Sequence, residues 1–503
     1  AAAKPAFPPG PRWTTPLPRT GPFLVPLTGP GFYSVLDQLR GEERAAPPKS
    51  GNPRSSLIQQ PFFDADWRYL KDAKNTDHDY LDHLKWIPVA DGVTVNLGGD
   101  LRYRLMQSVN ANNRLNGVVD NHDLYRVRTY ADVWINDRFR VFAEGIYADA
   151  TRRDDVLLAT DANRGDVQNL FLDARVWEFG EGDNPVYVRV GRQELLYGSQ
   201  RLVSPLEWVN TRRTFQGVKA FTRTEKWDFD LFVVQPVVPN AGRFDSVDNN
   251  QVFSGAWFTY RPAAGQALDL YYLNLDNTNP TARGQYGDVG GQNVNTAGAR
   301  YVGAKNNWLW DAEAMVQFGS YSNQSIAARA FTALGGYHFK DCPWEPQVWV
   351  GYDYASGDPD PQNSGTRRTF NPLFPFGHNY LGFNDVVGRQ NITDYNAQLA
   401  FYPEKWLTCM AQFHVLRLDS DRDALYAPNG AVLRQDRTGR AGNDVGNNLD
   451  LRCNVHVSTH SDVLFGYSRL FAGDFIRNTA TGPQAGAMSK DPEQFYLQYT
   501  YRW

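Results

Sequence analysis

From Val93 to the carboxy-terminal Trp503, apolar and polar residues alternate with a period of two through one segment after another. In residues 449–456, for example, the odd positions are apolar and the even positions are charged or polar. Such alternation predicts β-strands whose two faces meet different media. The sequence has no run of about 20 apolar residues, which argues against membrane helices. We therefore expect an all-β fold from residue 93 onward.

The lengths of the connections distinguish a membrane barrel from a soluble sandwich. Parity assigns about eighteen strands, and a tight turn such as Pro403–Lys405 follows each even strand. A long polar loop follows almost every odd strand, with one short exception at Ser320–Ser325. Outer-membrane barrels sort their connections in this way, whereas a sandwich has no reason to do so. The prediction is an all-β transmembrane antiparallel β-barrel of about 18 strands over residues 93–503, with a Pro-rich N-terminal extension.

Aromatic residues at the strand ends are expected to form girdles at the two membrane interfaces. The tryptophans in such positions are Trp134, Trp177, Trp227, Trp257, Trp308, Trp349 and Trp406. The last strand also ends on an aromatic residue, which resembles the terminal strand signal of bacterial outer-membrane proteins.

Residues 1–92 differ from the rest of the chain, because 14 of the 30 prolines fall before residue 91. A proline-rich segment is mainly extended, with a short helical piece predicted around Leu36, where apolar residues recur at helical spacing. Such a segment can be a leader attached to the surface, a plug, or an arm that docks a periplasmic or envelope protein. The predicted domains are residues 1–92, a periplasmic arm or plug, and residues 93–503, the barrel.

Charge and motif content argue against several classes of function. Lys and Arg number 51 against 55 Asp and Glu, which gives a net charge of −4 and speaks against nucleic-acid binding. No Walker loop or metalloprotease helix is present, so we predict neither an enzyme nor a cofactor. Cys342, Cys409 and Cys453 are too few and too far apart for a disulfide framework or a spaced zinc site. We expect isolated thiols, with Cys409 and Cys453 facing lipid and without a redox role.

Several segments, in order along residues 95–503, resemble the alginate export family of outer-membrane barrels. They are Gly191–Leu195, Trp208, Arg212, Arg213, Phe215–Val218, Tyr352–Asp358, Asn371–Phe374, Phe376–His378, Gly466–Ser468 and Phe471–Asp474. The resemblance implies a monomeric eighteen-stranded barrel whose electropositive lumen passes an acidic polysaccharide outward.

Two features depart from that family. The turn Ser458–Ser461 is too short to act as the long gating turn that helps to close the characterised exporters. Residues 1–90 have no obvious counterpart in those exporters. We therefore hypothesise that this segment takes over occlusion of the pore or docking in the periplasm.

Parity also assigns a set of cations to the inner face of the barrel or to the loop after the fifth strand. The predicted pore-lining and substrate-binding residues are Arg102, Arg104, Arg126, Arg128, Arg140, Arg175, Arg189, Arg192, Arg212, Arg213, Lys219 and Arg452. Inward carboxylates are fewer on the first six strands and more frequent on the later ones, which predicts a basic wall opposite a more acidic one. Each arginine has two interpretations, a contact to the carboxylate of a sugar acid or a salt-bridge ladder between strands.

Two loops have a distinctive composition. The loop between the fifth and sixth strands interleaves Tyr197 and Trp208 with arginines, which suits sugar acids, and a bulge or inward fold is expected near Gly191. A packed structural loop is the alternative. The loop Phe370–Gly388 is too aromatic to extend into water, so we expect it to fold over the mouth.

No metal site is predicted, although one acidic triplet is a weak candidate. Asp419, Asp421 and Asp423 alternate in an external loop and could bind Ca²⁺, but the glycine and the terminal glutamate of an EF-hand are missing.

Together these observations predict a channel in the bacterial outer membrane for the export or diffusion of anionic polysaccharides or small sugar acids. Its expected partners are the saccharide, the lipid bilayer and, through residues 1–90, an envelope protein. Two alternatives stand beside this prediction: a structural or plugged barrel for envelope scaffolding, and a generic nutrient porin.

Overall fold

Eighteen antiparallel strands close into a barrel, which confirms the predicted fold class. The computed structural model describes residues 23–51, 60–136, 138–151, 154–180, 184–284, 287–362 and 365–503. The strands are β1 Val93–Val109, β2 Val119–Ile135, β3 Phe139–Thr151, β4 Asn163–Phe179, β5 Asn184–Gln193, β6 Phe215–Arg223, β7 Trp227–Val238, β8 Gln251–Tyr260, β9 Gln266–Arg283, β10 Val289–Lys305, β11 Trp308–Tyr321, β12 Gln324–His338, β13 Gln347–Ala355, β14 Ile392–Glu404, β15 Leu407–Arg417, β16 Asp444–His456, β17 Ser461–Ala472 and β18 Glu493–Arg502. Each strand pairs with the next, and β18 pairs with β1, where Gln498 lies opposite Arg104.

Burial alternates along the strands as parity predicted. In β12, buried and exposed residues alternate from Gln324 through Gly336. On β1 the side chain of Leu101 is 40 % exposed, whereas its neighbour Arg102 is 2 % exposed. Apolar side chains therefore cover the outer wall and ionised side chains line the interior, which we call the bore. Among the described residues, no helix is long and apolar enough to cross a membrane.

The two ends of the barrel differ in their connections. Short turns such as 405–406 and 457–460 join the even strands to the odd strands that follow, and we call this the short-turn end. The other end, the long-loop end, carries extended loops, of which residues 194–214, 356–391, 418–443 and 473–492 are the longest. Short elements in these loops and beside β7 are Ser246–Val247, Thr366–Arg367, Gly377–Asn379, Ala424–Tyr426, Val432–Gln435, Asp474–Asn478 and Ala485–Met488.

The described N-terminal residues, 23–51 and 60–92, pack against the short-turn end. Their helix α1, Val35–Arg40, begins at Ser34, whose hydroxyl accepts a hydrogen bond from Asp37 N, and ends at Gly41 with a φ of +69°. Its Leu36 N donates to Val457 O in the short turn before β17. Further short elements are Phe62–Asp64, Arg68–Lys71, Asp82–Leu84 and Ile87–Ala90. The last of these pairs with the start of β1.

The bore is filled by a hydrophobic core rather than left open. Loop residues such as Leu195, Leu202, Leu381 and Val386 are each at most 2 % exposed and pack against the inward side chains of the strands. A part of the expected aromatic girdle belongs to this interior instead. The prediction was wrong for three tryptophans, because inward parity buries Trp134, Trp257 and Trp349. By contrast, Trp177 is 65 % exposed and Trp308 is 62 % exposed, as a girdle requires.

Candidate functional site

Residues 194–214, which we call inner loop 1, cross the bore from one wall to the other. On the β1–β2 side, Arg102 Nη1 donates to Glu207 O at 2.8 Å and Arg126 Nη2 donates to Glu207 Oε1 at 2.7 Å. On the far side, Arg201 Nη1 donates to Glu313 Oε2 of β11 at 2.7 Å. The expected inward fold after β5 is present, and it begins where Gly191 adopts a φ of +133°. A side chain at that position would collide with Leu170 O.

Arg201 joins inner loop 1 to a buried carboxylate pair. Its guanidinium is fully buried and also contacts Asp311, with 3.2 Å between Nη2 and Oδ2. Burial alone would lower the pKa of Arg201, but Asp311 and the other anionic neighbours raise it above its ordinary value. Arg300 donates to the same Asp311 at 2.8 Å. Arg201, Asp311 and Glu313 therefore form a buried ion cluster, which we call the clamp.

Residues 356–391, which we call inner loop 2, fill the space beside inner loop 1. Phe383 N donates to Asp450 Oδ1 of β16 at 3.0 Å, and Gln494 Nε2 of β18 donates to Phe383 O at 2.8 Å. On β13, three strands from β16 along the same wall, Asp353 Oδ2 accepts a hydrogen bond from Arg389 Nη2 at 2.7 Å. The aromatic segment 370–388 thus inserts into the bore and is anchored to β16 and β18, whereas the sequence predicted a cover over the mouth.

The two inner loops meet at a stack of flat side chains. The His378 ring lies on the Trp208 indole at a centroid distance of 3.6 Å, and the Arg104 guanidinium lies 3.5 Å from the same indole. Asp385 accepts a hydrogen bond from Trp208 Nε1 at 3.0 Å and lies 3.0 Å from His378 Nδ1. Burial lowers the pKa of His378 below its ordinary value, although Asp385 opposes this.

A second closure lies at the short-turn end. The Phe62 ring packs on Tyr130 at 4.9 Å, and the Phe63 ring packs on Phe171 at 5.2 Å. The guanidinium of Arg128 lies 4.3 Å from the Phe62 ring centroid. Both phenylalanines are 3 % exposed. Since Phe23 of the same segment contacts Trp349 of β13, the described N-terminal residues reach across this end of the barrel.

Most of the cations predicted to line the pore form ion pairs with carboxylates of neighbouring strands, of inner loop 1 or, for Arg175, of the same strand. The N···O distances are 3.6 Å for Arg102 to Glu207, 2.7 Å for Arg126 to Glu207, 2.5 Å for Arg128 to Asp100, 2.6 Å for Arg140 to Asp132, 2.7 Å for Arg175 to Glu178, 2.7 Å for Arg189 to Asp173, 3.0 Å for Arg192 to Asp166 and 3.5 Å for Lys219 to Asp230, and Arg212 pairs with both Glu194 and Glu207. This pairing favours a structural role for these nine residues, as in the salt-bridge interpretation. Their contact with cargo stays a prediction.

Three of the predicted cations differ, because no carboxylate in the described part of the chain lies within 4 Å of Arg104, Arg213 or Arg452. Arg104 donates to Gln498 Oε1 at 2.9 Å and 2.7 Å. Arg213 donates to two carbonyl oxygens, Ser204 O and Pro375 O, and burial lowers its pKa to about 10. Arg452 lies beside the Phe383 ring, 4.9 Å from its centroid. These three cations thus contact neutral groups rather than carboxylates.

A cavity of about 740 Å³, which we call the vestibule, lies at the long-loop end between β8–β12, inner loop 2 and loop 418–443. Its lining is rich in amides, among them Gln251, Asn277, Gln292, Gln317, Gln362, Asn371, Gln390, Asn429 and Gln435, with Tyr321, Phe374 and Tyr426 as aromatic residues. The Oε1 atom of Gln390 is buried and has no hydrogen-bond partner within the described ranges. The volume falls within the roughly 300–1,000 Å³ typical of small-molecule sites.

Three arginines in the vestibule carry charge that no carboxylate of the described residues neutralises within 4 Å. They are Arg283 at the end of β9, Arg367 in inner loop 2 and Arg437 in loop 418–443. Arg367 lies 4.2 Å from the Tyr321 ring centroid. The lining carboxylate Asp423 already accepts bonds from Thr369 Oγ1 and Tyr426 OH. Parity did not find these arginines, because they lie where the strands end or in loops.

Two carboxylates of the acidic triplet in loop 418–443 accept local hydrogen bonds. Asp419 accepts from Gly357 N at 2.9 Å, and Asp423 accepts from Asp358 N at 2.9 Å. Asp421 is exposed. Across the described residues, no three His, Cys, Asp or Glu side chains are grouped as a metal site would require.

Comparison with known proteins identifies the family. A profile described as alginate export matches residues 93–487, which is most of the chain. The chain belongs to the alginate export family. No curated protein matches the sequence significantly. As a family member with a porin-like barrel, the protein is a channel for transport in the bacterial outer membrane.

Solved structures share the fold of this alginate export family member at low sequence identity. Pseudomonas aeruginosa OpdQ is 11 % identical with a TM-score of 0.53, and the match covers 82 % of this chain and 97 % of OpdQ. Pseudomonas aeruginosa OccK3 (OpdO) is 13 % identical with a TM-score of 0.51, covering 84 % and 99 %. OccK1 (OpdK) of the same organism is 11 % identical with a TM-score of 0.51, covering 81 % and 98 %. These likenesses concern the barrel fold.

Proposed function

We propose that the protein is a gated channel for acidic saccharides, in which the vestibule takes up the sugar acid and the inner loops control passage. The observation that carries this proposal is the contrast between two sets of arginines. Most wall arginines are paired with carboxylates, whereas Arg283, Arg367 and Arg437 have no carboxylate within 4 Å in the described residues. Free guanidinium groups bind carboxylates by charge-assisted, often bidentate, hydrogen bonds.

The other lining residues of the vestibule suit a saccharide that bears the carboxylate. Amide side chains can donate and accept hydrogen bonds with hydroxyl groups, and the unpartnered Gln390 Oε1 offers an acceptor. Tyr321, Phe374 and Tyr426 add apolar faces. Below the vestibule, Arg213, Arg104 and Arg452 extend positive charge into the bore, which would guide an anion past the inner loops. By the loop-length rule for outer-membrane barrels, the vestibule faces the outside.

Both closures would have to move for cargo to pass. Inner loops 1 and 2 obstruct the middle of the bore, and the N-terminal residues around Phe62 and Phe63 cover the short-turn end, which faces the periplasm under the same rule. We propose that residues 1–92 act as the plug of this channel. The contacts of Phe62 and Phe63 with β2–β5 support this proposal, because the turn after β16 is too short to close the pore.

Binding measurements on the purified protein test the vestibule. We expect a short oligouronate to bind more tightly than a neutral oligosaccharide of the same length, with an affinity that falls as salt is added. Arg367→Gln should weaken the oligouronate about 10- to 100-fold, since a hydrogen bond to a charged group contributes about 1.5–3 kcal/mol. Arg243→Gln, an exposed arginine of loop 239–250, is the matched control. Equal binding of both saccharides, or no effect of Arg367→Gln, would reject the site.

A structural barrel is the second candidate, and the closed bore favours it. Buried ion pairs and a packed interior, such as Arg128 with Asp100 and the Leu381 cluster, give a rigid cylinder. Such a barrel has no need of conduction or of saccharide binding. This candidate therefore predicts no channel conductance in planar bilayers, even when Arg201 is replaced by methionine.

A further inference from the structure

We propose that Cys409 and Cys453 form a disulfide that links β15 to β16 on the outer wall. The two residues are direct partners in the antiparallel register of these strands. Their Sγ atoms lie 2.7 Å apart, closer than two non-bonded sulfur atoms approach. The sequence predicted isolated thiols without a redox role, because parity gives the face of a strand but not the register between strands.

The register satisfies the geometry of a disulfide. Opposite residues of an antiparallel pair have Cα atoms about 4.5–5.5 Å apart, and this separation lies inside the roughly 4.4–6.8 Å window that disulfides require. Both cysteines share the outward parity, because their neighbours Met410 and Arg452 are buried in the bore. Their side chains therefore project from the same face of adjacent strands.

The surroundings restrict the access of other reactants to the cysteine pair. Phe401 of β14 lies opposite Cys409, and Phe465 of β17 lies opposite Cys453, so a phenylalanine flanks the pair on each side. Both cysteines are half-buried, whereas Cys342, in the short turn after β12, is exposed. Cys342 is thus the thiol expected to stay free.

The location of the protein supplies the oxidant. A chain on its way to the outer membrane passes through a compartment whose thiol–disulfide oxidoreductases carry a reactive disulfide. One cysteine thiolate attacks that disulfide, forming a mixed disulfide and releasing one thiolate of the oxidoreductase. The second cysteine thiolate then attacks the mixed disulfide, so the new S–S bond forms as the oxidoreductase leaves as a dithiol. Two protons and two electrons leave the chain.

The linkage would secure the strands on which the N-terminal segment docks. The disulfide lies a few residues from the turns 405–406 and 457–460, where Trp406 Nε1 donates to Gln38 Oε1 and Leu36 N donates to Val457 O. A covalent tie between β15 and β16 keeps these two turns at a fixed separation. The segment around α1 then meets a rigid platform.

Thiol alkylation on the full chain, extracted from outer membranes without reductant, tests the proposal. We expect iodoacetamide, applied under denaturing conditions, to modify Cys342 alone before reduction and all three cysteines after reduction. Peptide mapping should recover the segments around Cys409 and Cys453 as one linked pair, lighter by two hydrogen atoms than the sum of the separate peptides.

Substitutions make the outcome decisive. Cys342→Ser should leave the linked pair intact, and Cys409→Ser should expose Cys453 to alkylation without reduction. Alkylation of all three cysteines in the unreduced wild-type chain, or a link that involves Cys342, would overturn the proposal. The wild-type mapping stands by itself if either variant does not assemble.

Discussion

Replacing Arg201 by methionine removes the clamp that holds inner loop 1 against β11. Methionine keeps most of the side-chain volume but loses the positive charge, which leaves Glu313 and Asp311 buried. Asp311 retains its ion pair with Arg300 at 2.8 Å. Glu313 keeps its hydrogen bonds from Tyr271 and Ser199 but loses its cation.

The magnitude follows from the cost of leaving a buried charge without its partner. Breaking a buried ion pair by removing one member costs about 3–5 kcal/mol. Because Arg300 still compensates Asp311, we take the lower end, about 3 kcal/mol. That energy is lost from the closed state, in which inner loop 1 is docked, so the ratio of open to closed channels should rise about 100-fold.

Single-channel recording in planar bilayers measures this ratio. The wild-type protein should show rare openings, and Arg201→Met should open about 100 times more often while retaining the wild-type heat-modified mobility in SDS gels. Arg243→Met, which alters an exposed arginine, should behave as the wild type. An Arg201→Met protein that folds normally yet opens no more often than the wild type would refute the role assigned to the clamp.

Three further outcomes are expected. The double variant Phe62→Ala, Phe63→Ala should be cleaved by trypsin at Arg68 and Lys71 faster than the wild type, since each buried ring removed costs about 3–5 kcal/mol. The control Leu39→Ala, at a side chain that is 77 % exposed in the wild type, should not change the rate. Equal cleavage rates in the double variant and the wild type would argue against docking. Because the pKa of His378 is lowered in the closed state, the open state binds the proton more readily. Closure is therefore strongest above the ordinary histidine pKa and weakens as the pH falls through that value, so openings should become more frequent at acidic pH. A His378→Gln variant with the same pH response as the wild type would contradict this. Arg128→Met should lower the temperature at which the barrel unfolds in SDS, because Asp100 and Glu144 lose a partner; an unchanged melting temperature would exclude a structural ladder at this position.

The barrel could be predicted from sequence because its rules are local. Alternation at Leu101 and Arg102 reports the lipid face and the interior face directly, and turn length sorts the two ends. The inward direction of Arg126, Arg128 and Arg189 followed from the same parity. Their pairing with Asp100 and Asp173 did not, since it depends on the register between strands.

The contents of the bore depend on contacts between residues far apart in sequence. Composition indicated that residues 370–388 would not stay in water, but only the anchors at Asp450 and Gln494 show that this segment enters the bore. The same limit applies to Trp349: its position in the strand predicts an interfacial residue, whereas its contact with Phe23 places it inside the barrel. The sequence did not predict the vestibule arginines for a related reason, because loops bring Arg367 and Arg437 to the end of β9.

The ion selectivity of the open channel tests the proposed function most directly. Arg201→Met protein in a planar bilayer, under a potassium chloride gradient, should give a reversal potential that favours chloride, because Arg283, Arg367 and Arg437 line the vestibule without a carboxylate partner among the described residues. Oligouronate added on the long-loop side should interrupt these currents, and a neutral oligosaccharide of equal length should not. Currents that favour potassium, or that respond equally to both saccharides, would contradict an acidic saccharide as the cargo.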